Sequence, residues 1–216
     1  MNIERYIDHT LLKPTATVRE IKALCSEAKT YNFYAVCVNS CNVSLAREEL
    51  KGSEIKIAAV IGFPLGAMST EAKICEARYS MENGADEIDM VINLGWLKSE
   101  EYGRVKDEIA QIKKAIMPGK LKVIIETCYL TAEEKKIASM LVVEGKADFV
   151  KTSTGFGTGG ATFEDIELIK RVIQNKIKIK ASGGIKNKIT AKRFLDMGVS
   201  RLGTSSGIAI VKEPNP

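Results

Sequence analysis

The sequence predicts a single-domain α/β fold over residues 1–216, with eight strand–helix units closed into a (β/α)8 TIM barrel. Three observations predict it. Apolar stretches of strand length begin near Ile7, Ala35, Ile57, Glu87, Leu121, Asp148, Ile177 and Ser200, with amphipathic segments between nearly all of them. The average unit is then about 27 residues, which suits a closed barrel near the lower end of its usual size. No long Pro/Gly/Ser linker interrupts the chain, so nothing divides it. A doubly wound open sheet shares the alternation of strands and helices, but eight regular units favour closure.

The elements follow in order. After the first strand, Thr17 with Glu20 reads as a capping box that opens a helix, and Thr131 with Glu134 repeats the signal ahead of a later one. Between the fourth and fifth strands, Tyr102, Val105, Ile109, Ile112 and Ile116 recur at helical spacing. Ile166, Ile169 and Ile173 do the same between the sixth and seventh strands. Gly84, Gly145 and Gly198 mark helix ends, each followed within a few residues by the next strand. The resulting GAD, GKAD and GVS strings form a weak internal repeat.

Composition narrows the function. Hydrophobic residues at 45% and charged residues at 27% exclude disordered, collagenous and fibrous chains. No apolar run is long enough to span a bilayer, and MNIERYIDHT lacks the apolar core of a signal peptide, so cytoplasmic residence is expected. The 32 basic and 27 acidic residues give a net charge of +5, too mild and scattered for a nucleic-acid partner but compatible with an anionic small molecule. Five cysteines without a CxxC pair suggest free thiols in a reducing compartment. His9, the single histidine, removes any multi-histidine metal site and leaves a serine or cysteine triad one possible base. Chemistry must therefore run on Lys, Asp, Glu, Cys or backbone groups.

Strand parity points to where that chemistry sits. In a barrel one parity of each strand faces the helices and the other faces inward. In EIDMVIN, Ile88, Met90 and Ile92 take the helix side, turning Asp89, Val91 and Asn93 inward. In IKIKAS, Ile177, Ile179 and Ala181 face the helices, turning Lys178 and Lys180 inward. In FVKTS, Phe149 shares parity with Lys151 and Val150 with Thr152, so the pattern alone does not orient it. Asp8, Cys37 and Glu126 can be placed inside on similar grounds. Lysines near the carboxyl ends of two adjacent strands, with an aspartate on a third, lie at the end where such barrels carry their active sites. Ion pairing or snorkelling explains one such lysine, but it explains the set less well.

Imine formation is the chemistry this set permits. A free lysine amine, with a pKa of about 10.4, is neutral in only roughly one molecule in 2,500 at pH 7. A second cation in a partly desolvated site disfavours the ammonium form, so each amine is expected to make the other less willing to hold its proton. Asp89 can balance one ammonium and exchange protons with it.

Glycine clusters supply an anion site. GFGTGG, Gly155 to Gly160, formally satisfies GxGxxG, but Ile179, Lys180 and Ala181 stand where a dinucleotide site wants an acid, so a flexible loop explains it better. SGGI from Ser182 and GTSSGI from Gly203 follow the seventh and eighth strands, the usual phosphate position in this fold. Plain turns are the competing explanation for each. His9 reads as a structural histidine, Trp96 as packing under a loop, and Lys186 to Arg193 as a solvated helix face.

Through KTSTGF, IKASGGI and EIDMVIN, with IDHTLLKP at the start, the chain closely resembles the 2-deoxy-D-ribose-5-phosphate aldolases of the class I, Schiff-base type, from Ile7 to about Ile208. The resemblance implies reversible cleavage of 2-deoxy-D-ribose 5-phosphate to acetaldehyde and D-glyceraldehyde 3-phosphate, with no metal and no organic cofactor. It implies Lys151 as the imine-forming nucleophile, Lys180 as the neighbour that lowers its pKa and Asp89 as the acid/base partner that relays protons with it. Asp8, Thr10, Cys37 and Thr152 would line the pocket, although Cys37 also reads as a buried apolar side chain. Gly155, Gly183, Gly184, Ser205 and Ser206 would hold the phosphate. A homo-oligomer, dimer or tetramer, is the implied assembly. Some relatives finish with a tail bearing a terminal tyrosine that assists proton transfer; the tail here, VKEPNP, has none. Another imine-forming aldolase or a sugar-phosphate isomerase is the nearest alternative enzyme, and a silent sugar-phosphate sensor on the same fold is the alternative of another class.

Overall fold

A computed structural model describes residues 2–214, so the last two residues of the VKEPNP tail lie outside the described residues. Eight parallel strands close into a barrel in sequence order. They are β1 (Ile7–Leu11), β2 (Ala35–Asn39), β3 (Lys56–Ile61), β4 (Glu87–Val91), β5 (Lys120–Ile124), β6 (Phe149–Lys151), β7 (Lys178–Ser182) and β8 (Arg201–Thr204). Each begins within one residue of the position its apolar stretch predicts. The helices are α1 (Val18–Tyr31), α2 (Val43–Glu49), α3 (Thr70–Glu82), α4 (Leu94–Lys98), α5 (Tyr102–Ala115), α6 (Ala132–Glu144), α7 (Phe163–Ile173), α8 (Lys188–Asp196) and α9 (Gly207–Lys212).

Both capping boxes form. The Glu20 carboxylate accepts from Thr17 N at 2.8 Å and that of Glu134 from Thr131 N at 2.7 Å, satisfying donors that a bare helix start leaves unpaired. On α5, Val105, Ile109 and Ile112 are buried together, as their spacing requires. Gly145 caps α6, but not through a positive φ. A Cβ there would lie 2.5 Å from the Ile109 side chain, so close packing of α5 on α6 sets the glycine.

The core has two parts. Between strands and helices lies an apolar jacket containing Val36, Ile57, Ile88, Met90, Leu121, Val123, Val150, Ile179, Ala181 and Leu202. Inside the barrel a small apolar group of Leu12, Cys37, Ala58 and Val60 sits on the β1–β3 side, and charged side chains fill much of the rest. Val150 in the jacket resolves the orientation of FVKTS: Phe149 and Lys151 point inward. Lys178 shares the inward parity of Lys180 but stands at the amino end of β7, where it is exposed and lies 5.9 Å from the Phe149 ring centroid. Asn93 falls beyond the end of β4, and there it caps α4, its side chain accepting from Trp96 N.

Candidate active site

The carboxyl-terminal mouth of the barrel opens into a cavity of about 430 Å³. Thr10, Lys151, Gly155, Gly183, Gly184, Ser205 and Ser206, all singled out from sequence, line it together. GFGTGG forms its β6–α7 rim. A Cβ on Gly160 would lie 2.3 Å from the Gly183 carbonyl oxygen, so Gly160 lets this loop press against the SGGI turn. Gly183 and Gly184 hold φ of +88° and +79°, backbone that favours glycine.

Lys151 ends β6 and forms the charged floor. The residue is 3% exposed, and its amine donates to Asp89 Oδ2 at 2.8 Å. Asp89, central in β4, has no exposure and accepts from three lysines. Lys151 and Lys180 share Oδ2, each at 2.8 Å, and Lys122 takes Oδ1 at 2.7 Å. Lys180 also donates to Asp8, whose other oxygen accepts from Arg201 at 2.9 Å. Arg201 reaches Glu87 at 3.3 Å, and Lys122 pairs with Glu87 at 2.6 Å. The guanidinium of Arg201 lies 3.4 Å over the Tyr34 ring, and the Tyr34 hydroxyl donates to Glu87.

These partners set the charge states. Burial opposes ionisation of Asp8, but Lys180 and Arg201 outweigh it and hold the carboxyl at about 2. Burial works equally against Asp89, and Lys122, Lys151 and Lys180 overcome it, keeping that carboxyl well below its ordinary range. For Lys180 the sequence expectation is corrected. Burial favours loss of its proton, yet Asp8 and Asp89 prevail and raise it, so Lys180 is a fixed ammonium rather than an amine weakened by its neighbour.

Other residues predicted for the pocket lie under or behind its wall. Asp8 has no exposure and sits beneath the cavity as the anion between Lys180 and Arg201. Cys37 packs in the inner apolar group, where burial pushes its thiol up. Thr152 has no exposure, and its hydroxyl is used by the β7 backbone, donating to Ser182 O and accepting from Ser182 N. Thr10 donates to the Asp8 carbonyl at 2.8 Å. Glu126, expected inside, turns into the β6–α7 loop and accepts from Thr154 N at 3.1 Å. His9 faces outward, paired with Glu27 at 2.7 Å. Trp96 packs under the guanidinium of Arg104, 4.1 Å from its ring.

Lys122, Glu87 and Arg201 are the residues that the sequence reading missed, although parity carried through every strand finds them. Leu121 and Val123 face the helices, so Lys122 points inward; Leu202 does the same for Arg201, and Glu87 shares the parity of Asp89.

Known proteins are similar to this chain over nearly its whole length. Residues 4–212 match the family described as DeoC/LacD family aldolase. A deoxyribose-phosphate aldolase of Coprothermobacter proteolyticus is 54% identical over 213 residues, covering 99% of this chain and 97% of that protein. One from Thermococcus gammatolerans is 54% identical over 216 residues, covering 98% and 96%. Among solved structures, one described as "QR15, an Aldolase" aligns with a TM-score of 0.95 at 42% identity, covering 98% of this chain and 95% of its own. The tetrameric deoxyribose phosphate aldolase of Aeropyrum pernix aligns with a TM-score of 0.86 at 30% identity, covering 97% and 89%. With the family match running through every strand and all the lysines of the barrel floor, the chain belongs to the DeoC/LacD aldolase family.

Proposed function

We propose that this enzyme reversibly cleaves 2-deoxy-D-ribose 5-phosphate to acetaldehyde and D-glyceraldehyde 3-phosphate through an imine on Lys151. One observation carries the reading. The Lys151 amine forms the floor of a cavity whose rim offers the glycine backbone and serine hydroxyls a phosphate needs, while a fixed ammonium, Lys180, shares its carboxylate. Lys151 attacks C1 of the open-chain sugar phosphate, and loss of water from the carbinolamine leaves a protonated imine. The imine withdraws electrons, so the C2–C3 bond breaks as the 3-hydroxyl proton is removed. Glyceraldehyde phosphate departs, leaving an enamine of acetaldehyde on the lysine. Protonation at carbon and hydrolysis free Lys151. Asp89 accepts from the amines of both Lys151 and Lys180, Lys180 supplies a fixed positive charge beside the nucleophile, and Asp8 holds Lys180 in place.

Gly155, Gly183, Gly184, Ser205 and Ser206 hold the phosphate, with the exposed Lys186 at the cavity edge adding to the positive field. Contacts remote from C1 and C2 position the chain for cleavage. Cys37 and Thr152 act from behind the wall, the first as apolar packing and the second by fixing the β7 backbone. The unpaired cysteines support residence in the cytoplasm. The tetramer described for the Aeropyrum pernix protein supports a homo-oligomer here.

Incubation with acetaldehyde and borohydride should leave a reduced two-carbon adduct on Lys151, and the enzyme should release acetaldehyde from deoxyribose 5-phosphate but not from ketose phosphates. Adducts confined to other lysines would refute the assignment.

A further inference from the structure

The ion pairs under the cavity form a closed circuit. Around it run Asp89, Lys180, Asp8, Arg201, Glu87 and Lys122, returning to Asp89, with the sign of the charge alternating at every step. The circuit is neutral, three cations against three carboxylates, and each cation in it holds two opposite partners. Lys151 stands outside as a seventh charge with one partner, Asp89 Oδ2, which it shares with Lys180. Of the three lysines, only Lys151 lines the cavity.

We propose that this circuit selects the nucleophile, and that Glu87 and Arg201, positioning residues that do not line the cavity, set the pH at which Lys151 becomes reactive. Deprotonating Lys122 or Lys180 would sacrifice two buried ion pairs and leave the circuit negative. Deprotonating Lys151 sacrifices one shared pair and leaves the circuit neutral, so the proton comes off the pendant amine first. Three amines crowded into one barrel are thereby ordered by connectivity rather than by burial alone.

The groups around Lys151 leave few other sources of charge. β1 contributes Asp8, β4 contributes Asp89 and Glu87, β5 contributes Lys122, β7 contributes Lys180 and β8 contributes Arg201. Cys37 on β2 carries a thiol that burial keeps protonated, Tyr34 donates to Glu87, and β3 offers only Ala58 and Val60 to the interior. Glu126 is bound by Thr154, and Lys13 and Lys186 stand exposed at the rim.

The inference rests on Lys151 being the imine-forming amine, and the experiment separates the two claims. Acetaldehyde and borohydride trapping is run across pH on the full chain, with the adduct located by mass spectrometry and folding checked by thermal unfolding. Arg201→Gln leaves the circuit with an extra negative charge that retains the Lys151 proton, so half-maximal trapping should rise by about one pH unit, roughly tenfold less trapping on the rising limb. Glu87→Gln leaves an extra positive charge and should lower the midpoint by about the same amount. The double variant restores neutrality and should return the midpoint to that of the parent, and Arg201→Lys should keep it there. A merely structural role would lower the amount trapped without moving the midpoint. Should Arg201→Gln fail to fold, the direction of the Glu87→Gln shift decides alone. Midpoints that stay fixed, or move the same way in both single variants, would overturn the proposal. An adduct absent from Lys151 would instead overturn the functional reading.

Discussion

Lys73 and Glu108 form a second buried ion pair, outside the barrel between α3 and α5, with neither side chain exposed and 2.9 Å between their charged atoms. Like the circuit around Asp89 it is cut off from water, yet its charge states move the opposite way. Burial dominates there, pushing the Lys73 amine down despite Glu108 and the Glu108 carboxyl up despite Lys73. In the barrel the same penalty acts on every group, but Asp89 answers to three cations and Lys180 to two carboxylates, and ionisation wins. One partner repays little of the cost of removing a charge from water; two or three partners repay most of it. Buried charge is therefore kept where it is networked.

The largest effect should come from removing the pendant amine. Lys151→Met should lower kcat/KM at least about a thousandfold in steady-state cleavage assays, because the other lysines of the lining, Lys13 and Lys186, stand exposed at the rim rather than on the floor, while the circuit stays balanced and the fold intact. Asp89→Asn deprives three cations of their shared anion and should cost about 3–5 kcal/mol in urea unfolding, as well as most of the activity.

Acid tests the circuit through Asp8. Its carboxyl falls from an ordinary 3.8 to about 2 in the folded protein, so it contributes stability above the unfolded value that is lost as pH drops from about 4 towards 2. That loss should amount to about 2 kcal/mol in pH-dependent urea unfolding. Glu108 carries the opposite sign. Its raised carboxyl costs stability at neutral pH, and acid relieves the cost. Lys73→Met should therefore destabilise by only about 1 kcal/mol, because Glu108 can take up a proton, and Lys73→Met/Glu108→Leu should unfold within about 1 kcal/mol of the parent. A Lys73 variant as damaging as Asp89→Asn would erase the distinction between paired and networked charge.

Much of this was legible in sequence, for particular reasons. Thr17–Glu20 and Thr131–Glu134 act through neighbours three residues away, so the local string contains the whole interaction. Asp89 and Lys180 show because apolar residues on both sides fix their parity, whereas FVKTS has an apolar residue in each parity and needed its neighbours to orient it. How firmly Lys180 holds its proton does not show in the sequence, because Asp8, its second carboxylate partner, lies 172 residues away. Thr152 shows the same limit. Its motif placed it beside the nucleophile, but the Ser182 backbone, 30 residues on, engages its hydroxyl.

Lysine side-chain nitrogen NMR across pH, with Lys151→Met to assign the resonance, tests the account most directly. The Lys122 and Lys180 ammonium groups should keep their protons at pH values where an ordinary lysine loses them, because their carboxylates raise both above the ordinary lysine value. Lys122 or Lys180 releasing its proton at or below the pH of an ordinary lysine would contradict it.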